Sequence, residues 1–191
     1  MLKFTPNDKE QPQKGDILLA EPFMEDPYFR RTVILLCEHN EEGSFGFVLN
    51  NYIDASLEDI MDDLSMFQSR ISVGGPVKHN NLYYLHTLGD TLSDSIHVTE
   101  GIYMGGNFEE LKELALAGKV TDDHVRFFVG YAGWSPDQLM SEVKSKSWFI
   151  SSSDQRTLMD TTNETLWNSL IKKLGKEYSH LADLPPNPSL N

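Results

Sequence analysis

With one cysteine, Cys37, the chain has no means of forming an internal disulfide. The thiol sits inside the apolar run Val33 to Cys37, which makes it a small buried hydrophobe rather than a reactive nucleophile. Long hydrophobic stretches are missing as well. No uninterrupted apolar segment reaches membrane length, and Met1 to Glu10 holds no apolar signal core, so a soluble cytoplasmic protein with no membrane attachment is expected. Basic clusters are equally scarce: 16 Lys and Arg face 29 Asp and Glu, the formal net charge is −13, and the longest basic runs are the pairs Arg30-Arg31 and Lys172-Lys173. Non-specific nucleic-acid affinity comes from clustered cations that displace counterions, so this acidic surface argues against direct nucleic-acid binding. Internal repeats and low-complexity tracts are absent too.

The residues that carry chemistry are scattered in the same way. Six histidines include no pair spaced to face one way on a helix or strand, so no metal site is assigned. Gly43-Ser44-Phe45-Gly46 lacks the spacing of a nucleophile elbow and leads into a strand, not a helix. Gly105-Gly106 precedes a helix, but Glu109 and Glu110 already occupy its first turn and no lysine follows, so it reads as a capped helix start rather than a phosphate loop. Asp62-Asp63 and Asp122-Asp123 are adjacent pairs, whereas acid and base work needs carboxylates in opposed, differing surroundings. No catalytic, cofactor-binding or metal-ligating set emerges.

What is present is strong fold patterning. Ile17 to Leu19 form a short strand, and Thr32 to Glu38 is a nearly continuous apolar run suited to the middle of a sheet. A polar loop, His39 to Ser44, links it to Phe45 to Leu49 in an antiparallel hairpin. Ser56 caps an amphipathic helix with Leu57, Ile60, Met61 and Leu64 on one face. Ile71 to Val73, Leu82 to His86 and the region from Ile96 to Met104 supply further strands, and Asn107 caps a helix that Gly118 stops. After the strand Trp148 to Ile150, a polar link from Ser151 to Asp160 leads to a final helix, capped by Thr161 and ended by Gly175.

The densest information lies between Phe127 and Trp148. Val125 to Val129 reads as a buried strand that runs into a Gly130/Gly133 corner. Ser135, Pro136 and Gln138 then take the cap, first-turn and capping-box positions of a helix whose stripe is Leu139, Met140 and Val143. Trp134 and Trp148 bracket that helix, which predicts a helix pinned to the sheet with an indole at each end. Two loops combine open backbone with aromatic surface: Gly74-Gly75-Pro76, and Tyr131 to Trp134 with Gly133. Together with Asn50 and Gln138 they form the candidate binding surface.

Pro22-Phe23, Asp26-Pro27, Phe29 to Val33, Gly46-Phe47-Val48-Leu49-Asn50, Gly74-Gly75-Pro76-Val77, Tyr131-Ala132-Gly133-Trp134 with Gln138-Leu139, Trp148 and the terminal Pro188 to Asn191 occur in one order. As a set, running from about Gly15 onward, they resemble the YqgE/AlgH family of bacterial proteins. One departure is Asn51-Tyr52, where a lysine-proline pair is usual. The resemblance implies a single α/β domain, α+β-like in its order, with a mixed, mostly antiparallel sheet partly curled toward a barrel and about four helices packed on it. Residues 1–14 are then a flexible lead-in, 15–184 the domain, and 185–191 an irregular Pro-rich tail. The family has no established reaction, and some members carry the label of transcriptional regulator. The resulting expectation is a non-enzymatic regulatory or interaction protein, acting on an unknown protein partner or small ligand, with no cofactor. The alternative is a small-molecule binder or enzyme whose site forms only in three dimensions.

Overall fold

The computed structural model describes residues 9–185. Along the chain, β1 (Ile17–Ala20), β2 (Val33–Asn40) and β3 (Gly43–Val48) precede α1 (Leu57–Ile60), β4 (Ser72–Val73) and β5 (Val77–His86). Next come β6 (Ile96–Thr99), β7 (Ile102–Met104), α2 (Phe108–Leu116), β8 (Val125–Trp134), α3 (Gln138–Lys144) and β9 (Trp148–Ser151), and then α4 (Gln155–Met159), α5 (Leu166–Leu174) and α6 (Lys176–Ala182). The strands join in one nine-stranded sheet of order β6-β7-β5-β8-β3-β2-β1-β9. It is open, and every neighbouring pair on this path is antiparallel; the exception to that direction is β4, which adds to β8 in parallel.

β8 ties the two halves together. Its first part pairs with β5 (Val125 opposite His86, Val129 opposite Leu82), and its last part pairs with β3 (Ala132 opposite Gly46, Trp134 opposite Ser44). Where β3 leaves, β4 takes over the same edge, with Ser72 beside Phe128 and Val73 beside Val129.

Alternation along the central strands feeds two cores. Ile17, Leu19, Val33, Leu35 and Phe47 face α5, whose Leu166, Trp167, Leu170 and Ile171 pack beneath them. Leu18, Ala20, Ile34, Leu36 and Val48 face the other way, onto Leu139 and Val143 of α3. This explains the unbroken apolar run of β2, because a strand covered on both faces has no solvent side to mark. A third cluster joins α1 and α2 to β5 and β8 through Leu57, Leu111, Tyr84 and Phe127.

Several local expectations change. Asn40 pairs with Gly43 and His39 with Ser44, so the loop expected over His39 to Ser44 contracts to a Glu41-Glu42 turn; Cys37 becomes the extra residue of a bulge between Leu36 and Glu38. The helix after Ser56 stops at Ile60 because Met61 is extended, leaving Ile60 and Met61 exposed, and one 3₁₀ turn carries Leu64 inward. The polar link contains α4, capped by Asp154 and burying Leu158 and Met159. α5 begins at Leu166, since Asp160 and Asn163 spend their carboxylate and carbonyl oxygens on the local turns at Thr162 and Thr165. Beyond Gly175 a further helix, α6, brings the number of α-helices among the described residues to six. Of the stretches assigned to the lead-in and tail, residues 1–8 and 186–191 lie outside the described residues. Lys9 pairs with Asp16 at 2.8 Å.

Candidate functional site

The corner expected at Gly130/Gly133 is continuous strand as far as Trp134, and this moves the candidate residues apart. Gly130 is left-handed (φ +71°) and faces an irregularity in β5, where Val77 pairs with Tyr131 but Leu82 pairs with Val129, so Lys78 to Asn81 swing outward. Tyr131 and Gly133 consequently share one face of β8, while Ala132 and Trp134 point to the other, into the α3 core.

On the Tyr131 face the side chains of β3, β5 and β8 build a groove of about 580 Å³. Its floor is a chain of rings. Phe45 meets Tyr131 edge-on at 5.8 Å, Tyr131 meets Tyr83 edge-on at 5.8 Å, and Phe47 lies 5.7 Å from Tyr83 and stacks on Phe128 at 4.7 Å. Edge-to-face and offset contacts suit the ring quadrupoles, so the floor is pre-formed. Phe45, Tyr83 and Tyr131 remain half-buried, and Gly133 opens the floor where a side chain would fill it. The rim is polar: Glu38, Asn40, Glu42 and Ser44 on one side and Lys78 on the other, with Glu38 held by Lys14 at 3.4 Å.

The remaining candidates serve the framework. Gly74 and Gly75 are buried against β8, and a Cβ on Gly75 would overlap the backbone at Tyr131 and Ala132, so the Gly74-Gly75-Pro76 turn is where two backbones touch. Asn50 spends its amide on the start of β2, accepting from Val33 N–H at 2.8 Å and donating to the Arg31 carbonyl at 2.9 Å. Gln138 begins α3 in place of the third helical position, because Ser135 to Asp137 form a turn that ends with Asp137 left-handed. Its carbonyl oxygen still accepts from Ser135 N–H at 3.0 Å, and its amide donates to Glu142 at 3.0 Å.

His86 with Ser95 resembles a catalytic dyad but does not have the proton arrangement of one. His86 is fully buried, its Nδ1 accepts from Leu88 N–H at 3.2 Å, and Ser95 Oγ lies 3.1 Å from Nε2 while donating to the Leu92 carbonyl. Nδ1 is therefore bare, and Nε2 carries the proton toward Ser95, the reverse of a general base. Burial also pulls the imidazole pKa down, with the Gly105 backbone opposing more weakly, so the ring is neutral. Burial pushes the Cys37 thiol up, away from the reactive thiolate. No group of three or more His, Cys, Asp and Glu side chains converges to hold a metal among the described residues. Nor is any described helix long and apolar enough to cross a membrane.

Phe45 and Tyr83 were absent from the sequence-derived surface, and only strand register brings them to Tyr131. Arg126 was missed as well, although a lone arginine among Val125, Phe127 and Phe128 was a visible signal, since a buried charge demands partners.

Comparison with known proteins gives a consistent kinship. The AlgH-like family profile matches residues 17–179. A protein of Cytophaga hutchinsonii named UPF0301 protein is 37% identical over 179 residues, covering 93% of this chain and 98% of that relative. Its counterpart in Parabacteroides distasonis is 38% identical over 193 residues, covering 100% and 97%. Among solved structures, the AlgH protein of Pseudomonas aeruginosa aligns with a TM-score of 0.70 at 27% identity, over 97% of this chain and 98% of that one. A Corynebacterium diphtheriae protein shares the fold, with a TM-score of 0.77 at 21% identity over 90% and 92% of the chains.

Proposed function

The chain belongs to the AlgH-like family, and from that premise and its aromatic groove we propose that it is a non-enzymatic interaction protein of regulatory type, docking an extended segment of a protein partner on the face of Tyr131. The observation that carries this reading is the continuous ring floor formed by Phe45, Phe47, Tyr83 and Tyr131 under an open, polar rim. Rigid aromatic side chains offer large contact area at low entropic loss, which is why they dominate binding hot spots. Charge sets the partner's chemistry. At a net charge of −13 the chain attracts basic segments and repels acidic ones, and the aromatic faces add cation–π attraction for Arg and Lys. The occupant is thus an apolar or aromatic residue flanked by basic ones, and promoter DNA is not the target.

The test uses two synthetic peptides with the same Leu-Trp core, one flanked by arginines and one by aspartates, titrated into the full chain and into Tyr131→Ala. Binding of the arginine peptide alone, weakened at least tenfold by Tyr131→Ala, supports the reading. Equal binding of both peptides, or binding indifferent to Tyr131, removes it.

A further inference from the structure

At the β9 edge lies a second hollow of about 340 Å³ that shares no lining residue with the aromatic groove. Its walls come from Met140 and Val143 of α3, Trp148 and Ile150 of β9, Leu174 at the end of α5 and Tyr178 of α6. Val143, Trp148, Ile150 and Leu174 are buried side chains of the core, so the floor is held by the fold rather than by a loop. Gly175 (φ +146°) makes this shape possible, because it turns the chain between Leu174 and α6 and so sets Tyr178 beside Phe149, 5.3 Å edge-on.

The charge of this hollow is opposite to that of the molecule. Lys9, Lys144 and Lys146 line it and Glu10 is the one acid among its described lining residues, in a chain with 29 acids against 16 bases. Lys9 is engaged with Asp16, but neither Lys144 nor Lys146 forms an ion pair with a described residue. Lys146 is also left-handed (φ +64°), in the tight turn that reverses the chain from α3 into β9 and puts both lysines at the mouth. An apolar floor under two unpaired ammonium groups matches one chemistry, an amphipathic monoanion.

We propose that this hollow binds a small carboxylate with a short acyl or aryl body: the carboxylate at Lys144 and Lys146, the body against Ile150, Leu174 and Tyr178. The volume stands near the lower end of the range for ligand sites, about 300 to 1,000 Å³, which restricts the body to a short one. This site does not rest on the peptide groove.

Octanoate and octylammonium, each below its micellar range, and octanol, below its solubility limit, are titrated into the full chain and into Lys144→Gln/Lys146→Gln, with backbone amide shifts of Lys146 to Ser151 as the readout. Both lysines are exposed, so the variant keeps its melting temperature. The expected result is saturable octanoate binding at least tenfold tighter than that of octanol or octylammonium, a preference the double variant loses. Equal binding of octanoate and octanol, unchanged octanoate affinity in the variant, or no saturation overturns the proposal. A concentration-dependent dimer that excludes octanoate also overturns it, by assigning the hollow to a second copy.

Discussion

Trp134 and Trp148 donate their indole N–H groups to the same oxygen, Oε2 of Glu142, at 2.9 and 2.7 Å, with the two rings edge-to-face at 6.0 Å. One indole ends β8 and the other starts β9, so a carboxylate on α3 fastens the helix to both strands it connects. Phe29 completes the cluster, stacked on Trp134 at 6.5 Å and edge-on to Trp148 at 5.6 Å. Replacing Glu142 with Leu strands two donors on nearly buried rings, which costs about 2 to 4 kcal/mol. Glu142→Gln keeps one acceptor oxygen and loses about half as much. Urea denaturation of the three proteins checks the order wild type, Gln, Leu; a Leu variant as stable as wild type contradicts it.

Arg126 is fully buried, and its guanidinium serves segments far apart in the chain: the carbonyls of Leu158 (2.6 Å), Asp160 (3.2 Å) and Leu49, and the Tyr52 hydroxyl (3.0 Å). Desolvation lowers its pKa, with Tyr52 and Asp160 opposing, yet a guanidinium so surrounded stays charged. Lysine lacks the planar fork and reaches fewer of these acceptors. Arg126→Lys and Arg126→Met should therefore both lose at least about 3 kcal/mol. Because the lost contacts include the end of α4, hydrogen exchange at Leu158 to Asp160 should rise in both variants. Unchanged protection there would mean the arginine does not anchor α4.

His86 gives stability an acid-side limit. Its folded pKa lies below that of the unfolded chain, about 6.5, so under that pH the unfolded state binds more protons and stability falls as pH falls, until the folded pKa is passed. Above about 6.5 the contribution is fully present. Tyr84, whose hydroxyl donates to the Gly106 carbonyl, is pushed up to about 12 by burial and gives the mirror case: stability declines as pH rises above about 10. His86→Gln can still accept from Leu88 and donate to Ser95 and does not titrate, so its stability curve should be flatter than wild type below about pH 6.5. Parallel curves would dismiss His86 as the source.

Much of this fold is legible because burial leaves patterns in one strand at a time. β2 announces a two-sided strand, Asn107 announces a cap and does accept from Glu109 and Glu110 N–H, and Trp134 with Trp148 announces a pinned helix. Other features depend on partners far along the chain. Glu110 has the spacing of a capping box, but its carboxylate is taken by Ser93 N–H at 2.8 Å, and Glu164, just ahead of α5, pairs with Arg70 at 3.1 Å. The groove escaped for a related reason. Phe45, Tyr83 and Tyr131 each look like an ordinary strand aromatic, and nothing local says that two strand registers align them. Glycine misled in the other direction: Gly74 and Gly75 looked like an open ligand surface because close backbone approach demands glycine whether the neighbour is a ligand or another strand.

That ambiguity can be resolved by substitution at two glycines, one packed against β8 and one within it. At Gly75 (φ +155°) a Cβ would run into the backbone at Tyr131 and Ala132, which cannot withdraw without breaking the sheet. Gly75→Ala should lose at least about 3 kcal/mol or fail to fold. Gly133 has no left-handed requirement, and its Cβ would meet Tyr131 Cε2 at 3.2 Å and Val77 Cγ2 at 3.8 Å, side-chain atoms that can give way. Gly133→Ala should therefore match wild-type stability to within about 1 kcal/mol, since the lost glycine entropy offsets the crowding. The added methyl group nevertheless stands in the groove, so the arginine-flanked peptide should bind at least tenfold more weakly while octanoate binding is unaffected. If Gly133→Ala folds and binds the peptide as wild type does, the ring floor is packing alone, and the partner surface lies elsewhere.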